Sequence, residues 1–286
     1  MSKILVTGAD GQLGKCLRDA SKDFDNYDFV FVNRGQLDVT NKASIDALFA
    51  TETFQYCINA AAYTNVEKAE SEEESAYLVN AEGAKNIAEA CEEREITLIH
   101  ISTDYVFDGT KRSPYVETDE THAISVYGAS KLKGEEWIQE KCTRHFIMRT
   151  SWLYSQYGHN FFNSMLRFAD EGRDLSITTE QLGTPTNAND LAYAALSIIA
   201  SGSEAYGIYH FSNEGAATWF DFAKAIFEHT GKLEAVSLEK TDHYRTFAAR
   251  PAYSVLSKEK FYNHFNTPRL DWQESLKILI DNQKSV

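Results

Sequence analysis

Tyr127 and Lys131 stand four residues apart in Val126-Tyr127-Gly128-Ala129-Ser130-Lys131. On a helix that spacing places both side chains on one face, about one turn apart. A phenol, with an ordinary pKa of about 10, is a weak acid at neutral pH. An ammonium beside it favours the phenolate and makes the phenol a better proton donor. Such a pair suits carbonyl reduction, where the developing oxyanion must take up a proton. The plainer alternative is a tyrosine packed on a lysine stem, so place in the chain must decide. Thr103 is the third candidate. It lies at the end of an apolar run, where its hydroxyl could hold a carbonyl oxygen opposite Tyr127 or cap the next turn.

The elements that must position these groups begin with an apolar strand at 3–7. It runs straight into Gly8-Ala9-Asp10-Gly11-Gln12-Leu13-Gly14 and then a helical pattern of Leu13, Leu17 and Ala20. Glycines at 8, 11 and 14 permit a tight turn and let backbone N–H groups approach a pyrophosphate at the helix start. The spacing is G-x-x-G-x-x-G rather than G-x-G-x-x-G, and its setting between strand and helix marks a dinucleotide site. A second strand at 28–32 ends in Asn33-Arg34. No acid stands there to hold a ribose 2′-hydroxyl, and Arg34, unless merely solvated, can pair with a 2′-phosphate; NADPH is therefore favoured, with NADH possible. Leu37-Asp38-Val39-Thr40 opens the next helix, with Asp38 reaching the adenine rim.

A third strand at 56–59 meets Ala60-Ala61-Ala62-Tyr63, small enough for a flat cofactor to lie against the backbone. A helical stretch at 67–94 follows, acidic in its first half and read as a solvated face. Residues 96–101 form a continuously apolar strand of the parallel type leading into Ser102-Thr103-Asp104-Tyr105-Val106-Phe107-Asp108-Gly109. After the helix of Tyr127 and Lys131 comes a strand at 145–150. This alternation predicts an α/β fold with a doubly wound parallel (Rossmann) sheet. Beyond residue 150 the rhythm weakens: 151–154, 181–186 and 249–251 read as loops, with helices at 187–201, 217–230 and 271–281 and a strand at 207–211. The expected organisation is a nucleotide-binding domain at 1–150, with 187–212 returning to it, and a smaller mixed domain over 151–286 that binds substrate.

The bulk figures agree with a soluble cytoplasmic protein. The 286 residues suffice for a sizeable core, and mean hydropathy is -0.40. No apolar run approaches the ~20 residues of a membrane span, and the first residues lack the basic-then-apolar pattern of a secretion signal. Four cysteines, 16, 57, 91 and 142, have no paired spacing, which fits reduced thiols. A net charge of -14 argues against nucleic acid as a partner, and requires a local basic lining if the substrate is anionic.

Taken together, Gly8 to Gly14, Asn59-Ala60-Ala61-Ala62-Tyr63-Thr64, the 102–109 block, Tyr127 to Lys131, Gly183-Thr184-Pro185-Thr186 and Arg250-Pro251 resemble the extended short-chain dehydrogenase/reductase family over nearly the whole chain. More narrowly they resemble its dTDP-4-dehydrorhamnose reductases. The resemblance implies NAD(P)H reduction of the C4 ketone of a dTDP-4-dehydro sugar, with Tyr127 as acid, Lys131 on the nicotinamide ribose and Thr103 orienting the ketone. By position it implies cofactor contacts from Gly8, Asp10, Gly11, Gln12, Leu13, Gly14, Asn33, Arg34, Asp38, Val39, Ala60, Ala61, Ala62, Tyr63 and Ser102. Substrate contacts would come from Asp104, Tyr105, Trp152, Asn160 and Arg250, with Arg245 a second cation for the diphosphate; packing between domains is the bland alternative for Trp152. Some relatives dimerise around Mg²⁺. The segment after the glycine loop here reads Lys15-Cys16, so despite Asp190 no required metal is expected, and a monomer or homodimer is. Sugar-nucleotide epimerases and a non-catalytic regulatory subunit like that of methionine adenosyltransferase share the cofactor pattern and are the rival readings.

Overall fold

A computed structural model describes residues 1–242 and 245–284. In chain order its elements are β1 (Ser2–Thr7), α1 (Gln12–Ala20), β2 (Tyr27–Phe31), α2 (Lys42–Thr51), β3 (Tyr56–Asn59), α3 (Val66–Ala69), α4 (Glu73–Tyr77), α5 (Gly83–Glu93), β4 (Thr97–Thr103), α6 (Val126–Lys141) and β5 (His145–Thr150). There follow β6 (Leu153–Tyr154), α7 (Phe161–Asp170), β7 (Leu175–Thr178), β8 (Leu182–Gly183), β9 (Thr186–Asn187), α8 (Ala188–Ser201), β10 (Gly207–His210), β11 (Ala217–Thr218), α9 (Trp219–Thr230), β12 (Leu238–Thr241), α10 (Glu259–His264) and α11 (Trp272–Lys284).

Six strands form the central parallel sheet in the order β10-β5-β4-β3-β1-β2. Alternation along β1 sorts its side chains to the two faces: Ile4 and Val6 pack with Leu13 and Leu17 of α1, the inner face of α8, and Phe261 and Phe265. Leu5 faces the other way, toward Ile45 of α2, Ile87 of α5 and Ile138 of α6. The doubly wound parallel sheet expected from the sequence is thus present, and β10 extends it beside β5. Strand order reverses between β1 and β3, and in such sheets ligands bind beyond the carboxyl ends of the strands at that crevice. A separate aromatic-rich core joins α7, α9 and α11.

Several local expectations are corrected. Leu37–Thr40 does not open a helix. Asp38 Oδ1 accepts from Thr40 N and Oγ1 (3.0 and 2.8 Å), and α2 starts at Lys42 under an Asn41 cap. Short polar side chains that bond nearby backbone stabilise such turns against helix. The 67–94 stretch is helical with one break, at 70–72: α3 ends at Ala69, and α4, a π-helical turn at Leu78–Glu82 and α5 follow one another without a gap. Residues 151–154 and 181–186, read as loops, hold β6, β8 and β9. Among the described residues no helix is long and apolar enough to cross a membrane.

Candidate active site

The carboxyl ends of β1, β3, β4 and β5 open into a cavity of about 830 Å³. Apart from Arg245, the cofactor and substrate positions singled out from the sequence line it, from Gly8 and Arg34 through Ala60–Tyr63, Ser102–Tyr105, Tyr127 and Lys131 to Trp152, Asn160 and Arg250. Arg245 is exposed and does not line it.

At the glycine loop the fit is set by backbone. Gly8 has φ +67°, and a Cβ there would come within 2.7 Å of the Ala60 carbonyl. A Cβ on Gly14 would stand 2.3 Å from the Gly8 oxygen. Only glycine lets α1 begin this close to β1 and β3. The α1 N-cap, Gly11, contributes no side-chain acceptor, so the first N–H groups of the helix have no side-chain cap. Gln12 spans to the other half of the molecule, donating to the Leu153 carbonyl (3.2 Å) and accepting from Asn160 Nδ2 (2.6 Å). Beyond β2, Asn33 Oδ1 closes a turn on Gly35 N and Gln36 N. The exposed Arg34 guanidinium lies 3.8 Å from Asp38. Thr40, with Arg34 adding to it, holds the Asp38 carboxyl below its usual value.

Helix α6 carries the proposed acid. Ser125 caps it, accepting from Gly128 N (3.2 Å), and Glu70 accepts from Val126 N (2.8 Å). A Cβ on Gly128 would meet the Tyr105 carbonyl at 2.2 Å, so this glycine lets the helix lie against the 104–106 turn. The rings of Tyr105 and Tyr127 consequently meet edge-to-face, 5.5 Å apart. Thr103 does cap that turn, accepting from Tyr105 N (3.2 Å), and donates to Asp104 Oδ1 (3.1 Å). The same hydroxyl is near enough to Tyr127 to favour its phenolate. The cap and a place beside the phenol are therefore compatible.

The electrostatics differ from the expectation that Lys131 makes Tyr127 more acidic. Burial raises the Tyr127 phenol above its ordinary value; the Thr103 hydroxyl pulls the other way, and Asp104 and Tyr105 add to the rise. Lys131 Nζ is directed instead to the Ile101 carbonyl (2.6 Å) and His100 Nε2 (3.2 Å). Burial lowers the lysine to about 8, with Glu135 opposing. In the protein alone, desolvation outweighs the charge effect that spacing suggested. The buried Asp104 carboxyl is pushed up to about 6, although the Ser254 and Thr103 hydroxyls offset part of the burial.

Other side chains are held by partners the sequence did not disclose. Ser102, expected to contact cofactor, donates to Glu135 Oε1 (2.5 Å); Glu135 is in turn gripped by Arg149 (2.6–3.1 Å) in a buried pair. Asn160 caps α7 and donates to the Ser155 and Tyr157 carbonyls as well as Gln12, so its amide is committed to protein groups. Arg250 donates to Tyr105 Oη (2.9 Å) and Glu67 (2.5 Å), while its Nε is buried without a partner. Tyr63 Oη donates to Glu72 (2.6 Å). Asp190 accepts from Asn213 (2.7 Å) and Ser275 (2.5 Å). Among the described residues no cluster of three or more His, Cys, Asp or Glu is placed to hold a metal.

Sequence reasoning missed four residues. Asn80 bonds Tyr63 N and O and Ser130 Oγ, tying the cofactor wall to α6 from the π-helical turn. His100 lies between Lys131 and Asn59. Glu67 anchors Arg250, and Trp219 stacks on Trp152. A polar side chain in an otherwise apolar run was the available signal for Asn80 and His100; nothing in spacing pointed to the other two.

The sequence model of the RmlD substrate binding domain family matches residues 2–285, so it takes in the glycine loop, the tyrosine–lysine helix and the aromatic-rich half together. The chain belongs to this family. Relatives of this RmlD-type chain include the dTDP-4-dehydrorhamnose reductase of Aggregatibacter actinomycetemcomitans, 40% identical over 97% of this chain and 98% of that protein. That of Escherichia coli strain K12 is 37% identical, covering 97% of each. Among solved structures, the dTDP-4-dehydrorhamnose reductase of Bacillus anthracis in complex with NADP superposes with a TM-score of 0.93 at 36% identity, covering 99% of this chain and all of that one.

Proposed function

We propose that this chain reduces the C4 ketone of dTDP-4-dehydro-β-L-rhamnose to dTDP-L-rhamnose, using NADPH, in nucleotide-sugar synthesis for cell-surface polysaccharide. The observation that carries the reading is a single cavity that joins a glycine phosphate cradle, Arg34, the Thr103–Tyr127–Lys131 group and the cation Arg250, in a chain of the same family as reductases of that name.

The cradle fits a dinucleotide: the space a Cβ at residue 8 or 14 would fill is occupied by backbone, and the start of α1 presents N–H groups. Gly8, Asp10, Gly11, Gln12, Leu13, Gly14, Asn33, Arg34, Asp38, Val39, Ala60–Tyr63, Ser102, Tyr127 and Lys131 would hold the cofactor, with residues 1–150 and 187–212 as its domain and 151–286 mainly serving substrate. Bound NADPH supplies the hydride. Thr103 orients the ketone with its hydroxyl. Tyr127 gives its proton to the oxygen on which negative charge develops. Lys131, an ammonium below about pH 8, lies one helical turn from the phenol and would donate to the nicotinamide ribose. Arg250 exchanges part of its present pairing for the substrate diphosphate, and Asp104, Tyr105, Trp152 and Asn160 border the sugar. In this reading the enzyme is cytoplasmic, monomeric or homodimeric, and needs no Mg²⁺.

The test is NADPH oxidation by the purified chain, supplied with dTDP-4-dehydrorhamnose generated in situ, with and without EDTA. Rapid oxidation that survives EDTA supports the reading. Cofactor binding without oxidation overturns it in favour of another nucleotide-sugar substrate or a regulatory role.

A further inference from the structure

Trp152 has φ +45°. A bulky residue in that region is a true outlier, and strain of this kind persists only where the surrounding structure over-determines it. Here several contacts do so. Trp152 lies between β5 and β6, where its carbonyl accepts from Thr186 N (3.2 Å) and the neighbouring Ser151 Oγ donates to the Thr184 carbonyl (2.8 Å). Its indole stacks on Trp219 with ring centroids 3.7 Å apart and planes 7° from parallel. Its ring atoms also occupy the position of a Cβ on Gly183, 2.5 Å away, so residue 183 must be glycine for the indole to lie where it does.

Trp219 is itself fixed. Its Nε1 donates to Gln181 Oε1 (2.8 Å), Phe161 packs beside it at 4.6 Å, and it opens α9 inside the Thr218–Asp221 capping box. The 181–186 segment thus braces both indoles, one through Gln181 and the other through Gly183. Both indoles line the cavity; the phosphate cradle is the turn between β1 and α1, and Gln12 at the start of α1 reaches the Leu153 carbonyl beside Trp152 (3.2 Å).

We propose that Trp219 is a positioning residue that acts through Trp152: with Gly183 it holds the Trp152 indole in its strained conformation as a wall for the sugar portion of the nucleotide-sugar substrate. The inference rests on the reading of Trp152 as a substrate contact and adds the device that keeps it there. Released from the stack, Trp152 relaxes toward ordinary backbone angles and the wall is lost.

A double-mutant cycle tests this, using wild type, Trp152→Ala, Trp219→Ala and the double variant, with Trp219→Phe as the conservative replacement. The near-ultraviolet circular dichroism of the free protein should show the coupled signal of stacked indoles, lost in either single alanine variant. Trp219→Ala should raise KM for the sugar nucleotide about tenfold, the size of one stacked aromatic pair near its upper range. KM for NADPH should stay within about twofold, and Trp219→Phe should recover most of the loss. In the Trp152→Ala background, removing Trp219 should cost little more. Additive losses, or equal rises in both KM values, would overturn the proposal while leaving the reductase reading intact. A wild-type chain with no turnover would remove the reductase reading, and the proposal with it.

Discussion

Replacing Asp104 by Asn should stabilise the folded protein at neutral pH. Asp104 is 2% exposed, and its carboxyl sits at about 6 in the fold against an ordinary 3.8 because burial disfavours the anion. Its Oδ1 accepts from Thr103, while Oδ2 is buried without a hydrogen-bond partner. Between about pH 3.8 and 6 the native state therefore holds a proton that the unfolded chain releases. Stability present below pH 3.8 is lost as pH rises through about 6. The difference of about 2 units, at 1.36 kcal/mol each, amounts to about 3 kcal/mol by pH 7.5, with roughly half of it already lost at pH 5. Asn keeps an oxygen to accept from Thr103 and carries no charge to bury. Urea unfolding of both proteins from pH 5 to 8 should show the variant gaining on wild type by about 1.4 kcal/mol across that range. Parallel stability curves would refute the reasoning, since they would mean that the carboxyl is not desolvated. Asp104 also raises the Tyr127 phenol, so the variant's alkaline limb in kcat should move to lower pH.

Tyr127→Phe should keep fold and NADPH binding while losing about 10²–10⁴-fold in kcat, the worth of general-acid catalysis; near-normal turnover would remove Tyr127 as the acid. Arg34→Ala should raise KM for NADPH at least about tenfold, from one lost charge-assisted contact, and leave KM for NADH unchanged; equal effects on both would make Arg34 a solvated surface group. Glu135→Gln strips the negative charge from a pair in which both side chains are 3% exposed or less, and should cost about 3–5 kcal/mol in urea unfolding. A cost under about 1 kcal/mol would show that Arg149 finds another partner.

The sheet was legible because apolar strands and glycine punctuation are local properties of the chain. β1, β3 and β5 fall within a residue of their expected ends, and the glycine loop lies where strand 3–7 placed it. What escaped depends on partners distant in sequence. The π-helical turn at Leu78–Glu82 sits beside Tyr63 and Ser130, both bonded by Asn80, and no window of the sequence contains that triangle. The strands β6, β8 and β9 have two residues each, too short for any alternation to register. The acidity of Tyr127 was misjudged for the same reason: spacing reports who is near on one helix, but desolvation depends on what packs against it.

Helix α6 shows how far a spacing argument reaches. Tyr127, Lys131 and Glu135 repeat every four residues and so share one face. From the sequence they form one polar stripe. In the fold, Tyr127 borders the open cavity, Lys131 is buried against β4 through Ile101 and His100, and Glu135 is sealed in a pair with Arg149. The stripe therefore runs from solvent into the core, and its charges cost more to bury with each turn. The lysine marks the crossover: dry enough for its pKa to fall to about 8, yet still kept protonated in part by Glu135 beneath it. Glu135 thus opposes the effect of burial on Lys131, and losing it should weaken the fold through its pair with Arg149.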